Sequence, residues 1–345
     1  MTKKHSNITI KDIAKICGVS RGTVDRVLNG RGKVKKEVEE LILKTIQESQ
    51  YTKNRAGRAL RVLTTQPVVG VIVSGGRNPF FDDVLTGVHK AEKELADYGV
   101  RAEIINLRGY DVQHQLDAIS SFMPRISVLI LQAINDPRIA QSIRELKQSG
   151  VPTITVNTDL ENSDRIFYVG SDYVSGGETA AGLLGMITGG KGNLGIITGV
   201  STLLGHIQRL HGFETRLNTR WPEIRTIARA SAMDDDEYSY QATLNMLLEH
   251  PEIDCLQLIA AGTYGACRAV IDTKREKKIN VLAFDNVPTT VEMVRMGVVR
   301  ALVCQQPFEQ GYLAFNAAFD AILSGNKTQG ENIIVENQIR ILENL

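Results

Sequence analysis

No run of apolar residues in this sequence reaches the roughly 18 needed for a membrane-spanning helix, and its first residues, MTKKHSNITIKD, have no apolar centre of the kind a secretory signal carries. A membrane partner is therefore excluded and a cytoplasmic location expected. Cysteine is scarce: Cys17, Cys255, Cys267 and Cys304 stand singly, with no C-x-x-C pair and no histidine at metal spacing. That pattern argues against a zinc site or a disulfide framework and predicts reduced packing residues and no metal. The six histidines form no cluster, and neither H-E-x-x-H nor G-x-S-x-G occurs. The glycine-rich stretch GGKGNLGIITG (189–199) lacks a Walker Lys-Ser/Thr ending, and it precedes a strand where a dinucleotide fingerprint would follow one. No cofactor, no catalytic residue and no enzymatic activity are expected.

What is present is an ordinary globular composition, 43% hydrophobic and 23% charged, in a chain of 345 residues, long enough for two or three lobes. The formal net charge of +1 conceals a division: the total of 40 Lys and Arg against 39 Asp and Glu is unevenly spread, with the cations concentrated before Val62 and the carboxylates after it. A small basic head on a mildly acidic body fits a polyanion binder attached to a soluble module. A solvated basic tail is the bland alternative, but such a tail would lack the apolar periodicity seen here.

In that head, ITIKDIAKICGVSRGTVDRVLNGRG contains two helical patterns separated by a break. Thr9 can cap a first helix, with Asp12 three residues on, and Ile10, Ile13, Ala14 and Cys17 then share one face. Gly18 ends it, Ser20 is a natural N-cap, and Val24, Val27 and Leu28 supply the inward face of a second helix. Two short helices so joined form a helix-turn-helix, whose second member lies in the major groove of DNA, although any small helical hairpin could share this periodicity.

From Ile8 to Arg61 the letters T-I-K-D-I-A, G-V-S-x-x-T-V-x-R-V-L-N, a third helix ending in Tyr51, and N-R-x-x-x-x-L resemble, without a gap, the DNA-binding head of the lac repressor (LacI/GalR) family. The resemblance continues more loosely to the chain's end and implies a transcriptional regulator of palindromic DNA. It implies that Thr9, Ser20, Thr23, Asn29 and Tyr51 position the head on DNA, the last four on phosphates, while Arg21, Gly22, Asp25 and Arg26 face base edges. The chemistry is consistent: hydroxyls and amides hold phosphates, and an arginine on a recognition helix can pair bidentately with guanine. Gly22 has no side chain to read with, which shifts discrimination toward Arg21. Asp25 has two readings, acceptor from a cytosine amine or i, i+4 partner of Arg21. The resemblance also implies a hinge over 54–63 that becomes helical on the operator, with Leu60 as a minor-groove wedge and Asn54 and Arg58 facing phosphates. A flexible linker with one surface leucine is the alternative.

From Pro67 onward short apolar runs alternate with amphipathic stretches of helical length. They are VVGVIV (68–73), RAEIIN (101–106), SVLILQ (127–132), PTITVN (152–157), NLGIITG (193–199), EIRTIA (223–228), DCLQLIA (254–260), INVLAFD (279–285) and VRALVCQ (299–305). Strands this apolar belong to parallel sheets covered by helices, and two such sets imply two doubly wound lobes. The expected fold is thus α/β, a two-lobed body preceded by an all-α helix-turn-helix head. The division is 1–53 for the head, 54–63 for the hinge helix and 67–345 for effector binding and dimerisation. ENIIVENQIRILENL reads as a final strand and short tail, and the lack of leucine heptads predicts a homodimer rather than a coiled-coil tetramer.

Ligands of such folds sit beyond the C-terminal ends of strands. The residues there are Asn78, Phe80, Phe81, Asn135, Asp136, Asn157 and Asp159 in the first lobe, and Arg209, Asp285 and Gln305 in the second. Aromatics beside amides, carboxylates and an arginine suit a sugar or polyol, whose ring faces stack while its hydroxyls pair. Phe80 or Phe81 as core, and Asp159 as a turn cap, are the competing readings. N-P-F-F, S-D-Y-V-S-G-G (with Tyr173) and A-F-D resemble the periplasmic sugar-binding fold, particularly ribose-type binders, which is also the body of the lac repressor family; there the matching positions contact sugar. One departure is visible. Many sugar binders of this fold place Asp-Arg after the fourth strand, and this chain has Asn157-Thr158. A solute-binding protein without a DNA role is the rival function, opposed by the basic head.

Overall fold

The computed structural model describes residues 10–29, 34–48, 63–75, 78–325 and 330–345. The chain divides into two compact units, Met1–Thr64 and Thr65–Leu345.

The first unit contains α1 (Ile10–Ile16), α2 (Arg21–Asn29) and α3 (Lys36–Glu48). Their helical spacing brings Ile13 and Ala14 of α1, Val24 of α2 and Ile42 of α3 into one buried cluster, with Cys17, Val19, Val27, Val38 and Ile46 at its margin. Gly18, at φ +64°, turns the chain out of α1 without the penalty a Cβ would bring. The Ser20 hydroxyl accepts from the Thr23 backbone N–H at 3.1 Å, the N-cap expected of α2. The Cys17 thiol donates to the Thr45 hydroxyl at 3.3 Å and so ties α1 to α3.

The second unit holds two six-stranded sheets of matching order. The first runs β11-β5-β4-β3-β1-β2 and the second β12-β10-β9-β8-β6-β7. Strands β1 (Val68–Val73), β2 (Arg101–Asn106), β3 (Val128–Leu131), β4 (Thr153–Val156) and β5 (Phe167–Ser171) are parallel. So are β6 (Lys191–Thr198), β7 (Glu223–Ser231), β8 (Cys255–Leu258), β9 (Asn280–Phe284) and β10 (Val299–Cys304). The central strands β1, β3, β4, β8 and β9 are almost entirely buried, as their continuous apolar runs require. RAEIIN and EIRTIA differ: β2 and β7 lie at sheet edges, and their residues are mostly half-buried or exposed.

Helices α4 (Phe80–Glu94), α5 (Val112–Ser121), α6 (Pro137–Gln148) and α12 (Pro307–Ser324) cover the first sheet. Helices α7 (Tyr173–Thr188), α8 (Leu204–Arg220), α9 (Asp236–Glu249), α10 (Thr263–Asp272) and α11 (Pro288–Arg295) cover the second. The lobes exchange one helix each: α7 leaves the first sheet after β5 and packs on the second lobe, and α12 leaves the second after β10 and packs on the first. Both exchanged helices approach their partners through paired glycines. A Cβ on Gly177 would strike the Arg209 backbone and one on Gly212 that of Val174, while Gly87 and Gly311 do the same for the Phe308 and Val84 backbones.

The last segment is not one strand and a tail. Ile333–Val335 forms β11, parallel to β5, and Gln338–Arg340 forms β12, antiparallel to β10. The short stretch between them is a third crossover, after those at Asp172 and Gln306.

Candidate functional site

Between the lobes, at the C-terminal ends of both sheets, lies a cavity of ≈ 450 Å³. Arg209, which α8 carries into the interior at 3% exposure, lines it. The guanidinium carbon sits 3.8 Å from the Phe284 ring centroid and 4.8 Å from that of Tyr173, between two π faces. Nη1 donates to the Ile259 carbonyl, and Nε has no hydrogen-bond partner.

Asp285 follows β9 with φ +62°. Its carboxylate accepts from the Gln305 backbone N–H at 2.9 Å and from the Gln305 amide at 2.7 Å, which fixes its orientation. Enclosure in the cleft pushes its pKa above the usual carboxylate value, against the opposing pull of Arg209 and the Gln305 hydrogen bonds. Farther along the second lobe, Asp234 (φ +59°) lies in the turn between β7 and α9. Its side chain is 5% exposed, 3.8 Å from His206 Nδ1, and its Oδ1 has no partner. Desolvation holds the His206 pKa below its ordinary value, although Asp234 pulls it upward. Desolvation and the Asp234 charge together push the Tyr110 hydroxyl upward, so it stays a protonated donor.

The first lobe's wall is aromatic and amide. Phe80 and Phe81 meet edge to face at 5.2 Å, and the Asn78 side-chain Oδ1 accepts from the Phe80 N–H at 3.1 Å. Gln132, fully buried just beyond β3, accepts from the Ser74 N–H at 2.8 Å and leaves its Nε2 without a partner. Asn157 follows β4 with φ +64°, mirroring Asp285 after β9. The two backbones are held alike, the Asn157 N–H donating to Val169 at 3.0 Å and that of Asp285 to Val303 at 3.1 Å. The Asn157 amide donates to Gln310 Oε1 at 3.3 Å, and the Gln310 amide donates to the Gln305 carbonyl at 2.8 Å. This relay joins the end of β4 to the second crossover. Two bonds cross the cleft rim directly: Gly205 N–H to Thr158 Oγ1 at 3.3 Å and Asn135 N–H to the Thr202 carbonyl at 3.0 Å. Thr158, standing where many sugar binders carry arginine, thus binds the opposite lobe.

In the first unit, Ser20, Arg21, Gly22, Asp25 and Arg26 are exposed along the start of α2, and Thr23 is half-buried. Arg26 Nε donates to its own helix, to the Gly22 carbonyl at 3.2 Å. The open surface at Gly22, where an added Cβ would meet only the Ser20 hydroxyl at 3.7 Å, lets a partner approach the backbone closely.

Comparison with known proteins accounts for both units. Residues 69–327 match the periplasmic binding protein domain, and residues 9–54 match the bacterial regulatory proteins of the lacI family. The ribose operon repressor of Haemophilus influenzae is 26% identical over 327 residues, spanning 92% of this chain and 93% of that protein. The chain belongs to the lacI family. It also resembles, at 27% identity over 265 residues covering 76% of this chain and 83% of the other, the ribose import binding protein of Bacillus subtilis. A solved glucose-galactose binding protein from Geobacillus stearothermophilus shares 25% identity and superposes with a TM-score of 0.75, covering 81% of this chain and 98% of that one. As a lacI-family member the protein is a DNA-binding transcriptional regulator with a two-lobed periplasmic-binding-protein-like body. The family is one of regulators rather than enzymes.

Against this lacI-family frame, the cleft gathers Asn78, Phe80, Phe81, Asn157, Tyr173, Arg209, Asp285 and Gln305. Three expected residues lie elsewhere. Asn135 accepts from the Glu161 N–H at 3.0 Å through its side-chain oxygen, so its amide is used within its own lobe's loops and does not line the cavity. Asp136 caps α6 through the Arg138 N–H at 2.8 Å and pairs with the Arg138 guanidinium at 2.9 Å, so its carboxylate is spent on the helix. Asp159 is held by Arg165 Nε at 2.7 Å and the Thr155 hydroxyl at 2.8 Å, which turns it from the cavity and makes it a structural residue of its loop. Sequence reasoning missed Tyr110, Gln132, His206, Asp234 and Phe284, all of which line the cleft. Gln132 and Phe284 were inside quoted strand runs, and Asp234 was hidden because β7 runs on to Ser231, past the apolar run ending at 228. Thr9, Tyr51, Asn54, Arg58 and Leu60, the side chain of Asn29 and most of the 54–63 hinge lie outside the described residues. Among those described, no helix is long and apolar enough to cross a membrane, and no group of His, Cys, Asp or Glu could hold a metal ion.

Proposed function

We propose that the cleft binds a small polyhydroxylated effector, a sugar or polyol, and that its occupancy sets the affinity of the helix-turn-helix for a palindromic operator, most simply as a repressor. The observation that carries this is Arg209, clamped between Tyr173 and Phe284 beside Asp285, opposite the Phe80–Phe81 wall. Such a cavity offers π surfaces for a ring's C–H face and fixed donors and acceptors for its hydroxyls. The names of the relatives, a ribose operon repressor and a ribose import binding protein, support both halves of the reading. A solute-binding role without DNA is disfavoured by a repressor relative that spans the head as well as the body.

The protein acts in this reading as a cytoplasmic homodimer, with residues 1–53 as the head, 54–63 as a hinge that folds on DNA and 67–345 as the sensing and pairing body. Two-fold symmetry of the protein then matches that of the operator. An effector that changes the lobe geometry moves the hinges relative to each other. A coupling of about 1–3 kcal/mol would change operator affinity about 5- to 150-fold.

The test is a thermal-shift screen of the whole protein against pentoses, hexoses, polyols, their phosphates and purines. A ligand at 100 times its dissociation constant adds about 2.7 kcal/mol of stability. Each hit is then titrated into an operator-binding assay, where a change in affinity of either sign is expected and its absence refutes the sensing role. Leu60→Ala should weaken operator binding while ligand affinity is retained; unchanged operator affinity would remove the wedge from the mechanism.

A further inference from the structure

The charges around the cavity do not balance. Its described lining contains one guanidinium, Arg209, against five carboxylates: Asp234, Asp235, Asp236, Glu237 and Asp285. Arg209 and Gln305 serve Asp285, as described. Asp235 is occupied as the N-cap of α9, accepting from Glu237 and Tyr238 N–H groups at 2.8 and 3.2 Å, and Asp236 accepts from the Gly265 N–H at 3.1 Å. Asp234 is different. Its side chain is only 5% exposed, its Oδ1 has no hydrogen-bond partner, and its Oδ2 reaches the Val200 N–H only at 3.4 Å. The nearest cation-forming group is His206, which desolvation keeps toward its neutral form. The space that holds this pair exists because residue 199 is glycine: a Cβ there would strike Asp234 Oδ1 and approach His206 Nδ1 within 2.8 Å.

An enclosed carboxylate with no countercharge is costly, and a cation brought by the ligand relieves that cost. We propose that the effector carries an ammonium group as well as hydroxyls, as an amino sugar or aminocyclitol does, and that Asp234 receives it. This rests on the cleft being the effector site. The aromatic wall takes the carbon face of the ring, Arg209 and Asp285 take hydroxyls, and the ammonium is oriented toward the β7–α9 turn. The same field opposes phosphorylated and carboxylated sugars, since each added negative charge meets the unbalanced carboxylates.

The experiment titrates the full chain by calorimetry with matched sets: glucosamine, glucose and glucose 6-phosphate; galactosamine, galactose and galactose 6-phosphate; scyllo-inosamine and scyllo-inositol. The expected result is binding by at least one amine, with its neutral parent weaker by about 10-fold or more and its phosphate silent. Asp234→Asn, checked for an unchanged melting temperature, should cost that amine roughly 100-fold in affinity while altering the parent by less than about 3-fold. A neutral or phosphorylated member that binds as tightly as its amine overturns the ammonium assignment and leaves the sugar reading standing. Binding by none of the compounds overturns the ammonium assignment, and the sugar reading is then decided by the pentoses and open-chain polyols of the wider screen. Equal losses for amine and parent in Asp234→Asn assign that residue to the fold rather than the ligand.

Discussion

The two lobes of the body share strand order, the direction of their parallel strands and even the left-handed residue after the fourth strand, Asn157 in one and Asp285 in the other. They line the cleft with opposite chemistry. Among the described residues, the first lobe supplies Asn78, Phe80, Phe81, Tyr110, Gln132 and Asn157, none of them charged, and the second supplies the arginine, the histidine and all the carboxylates. The scaffold therefore dictates where a residue faces the cleft but not what it does there. If the cleft binds effector as proposed, one lobe is a shaped neutral wall and the other an electrostatic reader, and changes in the two should fail in different ways.

The largest expected effect comes from Arg209→Ala. It removes the cation from between two aromatic rings and leaves Asp285 without its charge partner, so unfolding free energy should fall by about 3–5 kcal/mol and effector binding should vanish. Urea denaturation and calorimetry check both, and a variant that still binds effector would break the assignment of recognition to the second lobe. Asn157→Asp tests the comparison from the other side. The new carboxylate cannot donate to Gln310 Oε1 as the amide does, so two buried acceptors face each other at a cost of about 2 kcal/mol. A stability loss under about 0.5 kcal/mol would mean that the first lobe tolerates charge after all.

Phe81→Leu shrinks the neutral wall. Stability should drop by about 1–2 kcal/mol, and effector affinity should weaken without the selectivity among ligands being altered. The pH dependence sharpens the contrast further. His206 is held below its ordinary pKa of 6.5, so on acidification the unfolded chain takes up a proton before the native protein does. Stability from this group is complete above that value and declines as pH falls from it toward the lowered pKa, by up to about 1.4 kcal/mol per pH unit. Melting curves of wild type and His206→Gln between pH 7 and about 5 should diverge in that sense; parallel curves would disprove it. Asp285, with its raised pKa, has the opposite sign: the native state binds its proton first, so between the raised value and the ordinary 3.8 its contribution becomes less unfavourable as pH falls. The smallest effects belong to Asp136→Ala and Asp159→Ala. Loss of a cap or a half-exposed ion pair should cost about 1 kcal/mol, with effector affinity unchanged within 2-fold.

Much of this arrangement was legible in the sequence because apolar runs and the residues after them report directly on parallel strands and their ends. Asn78, Asn157, Asp285 and Gln305 follow that rule without exception. The rule fails where a carboxylate has a local use, since Asp136 and Asp159 also follow strands but are claimed by Arg138 and Arg165. Sequence spacing cannot tell a carboxylate aimed at solvent space from one captured two or six residues away. Strand β5, FYVGS, escaped because its five residues carry a polar end and a glycine instead of an uninterrupted apolar run. The split of the last segment into two strands was equally hidden: IIV and QIR are each three residues long, and only pairing with β5 and β10 makes them strands. The head was read from a denser pattern, and its buried Ile13, Ala14 and Val24 lie at the helical positions the periodicity marked.

The exchange of helices between the lobes has a consequence for how the protein is made. The second lobe draws α7 through β10 from one continuous stretch, so most of it can assemble as that stretch leaves the ribosome. The first lobe waits, because α12, whose Phe315 and Phe319 are buried, and β11 come from the far end of the chain. Until they arrive, α4 presents an apolar face to the solvent, with Val84, Val88 and Ala91 awaiting cover. Synthesis thus creates a window in which the earlier-made lobe is the later-finished one, with its apolar face uncovered until the end of the chain arrives.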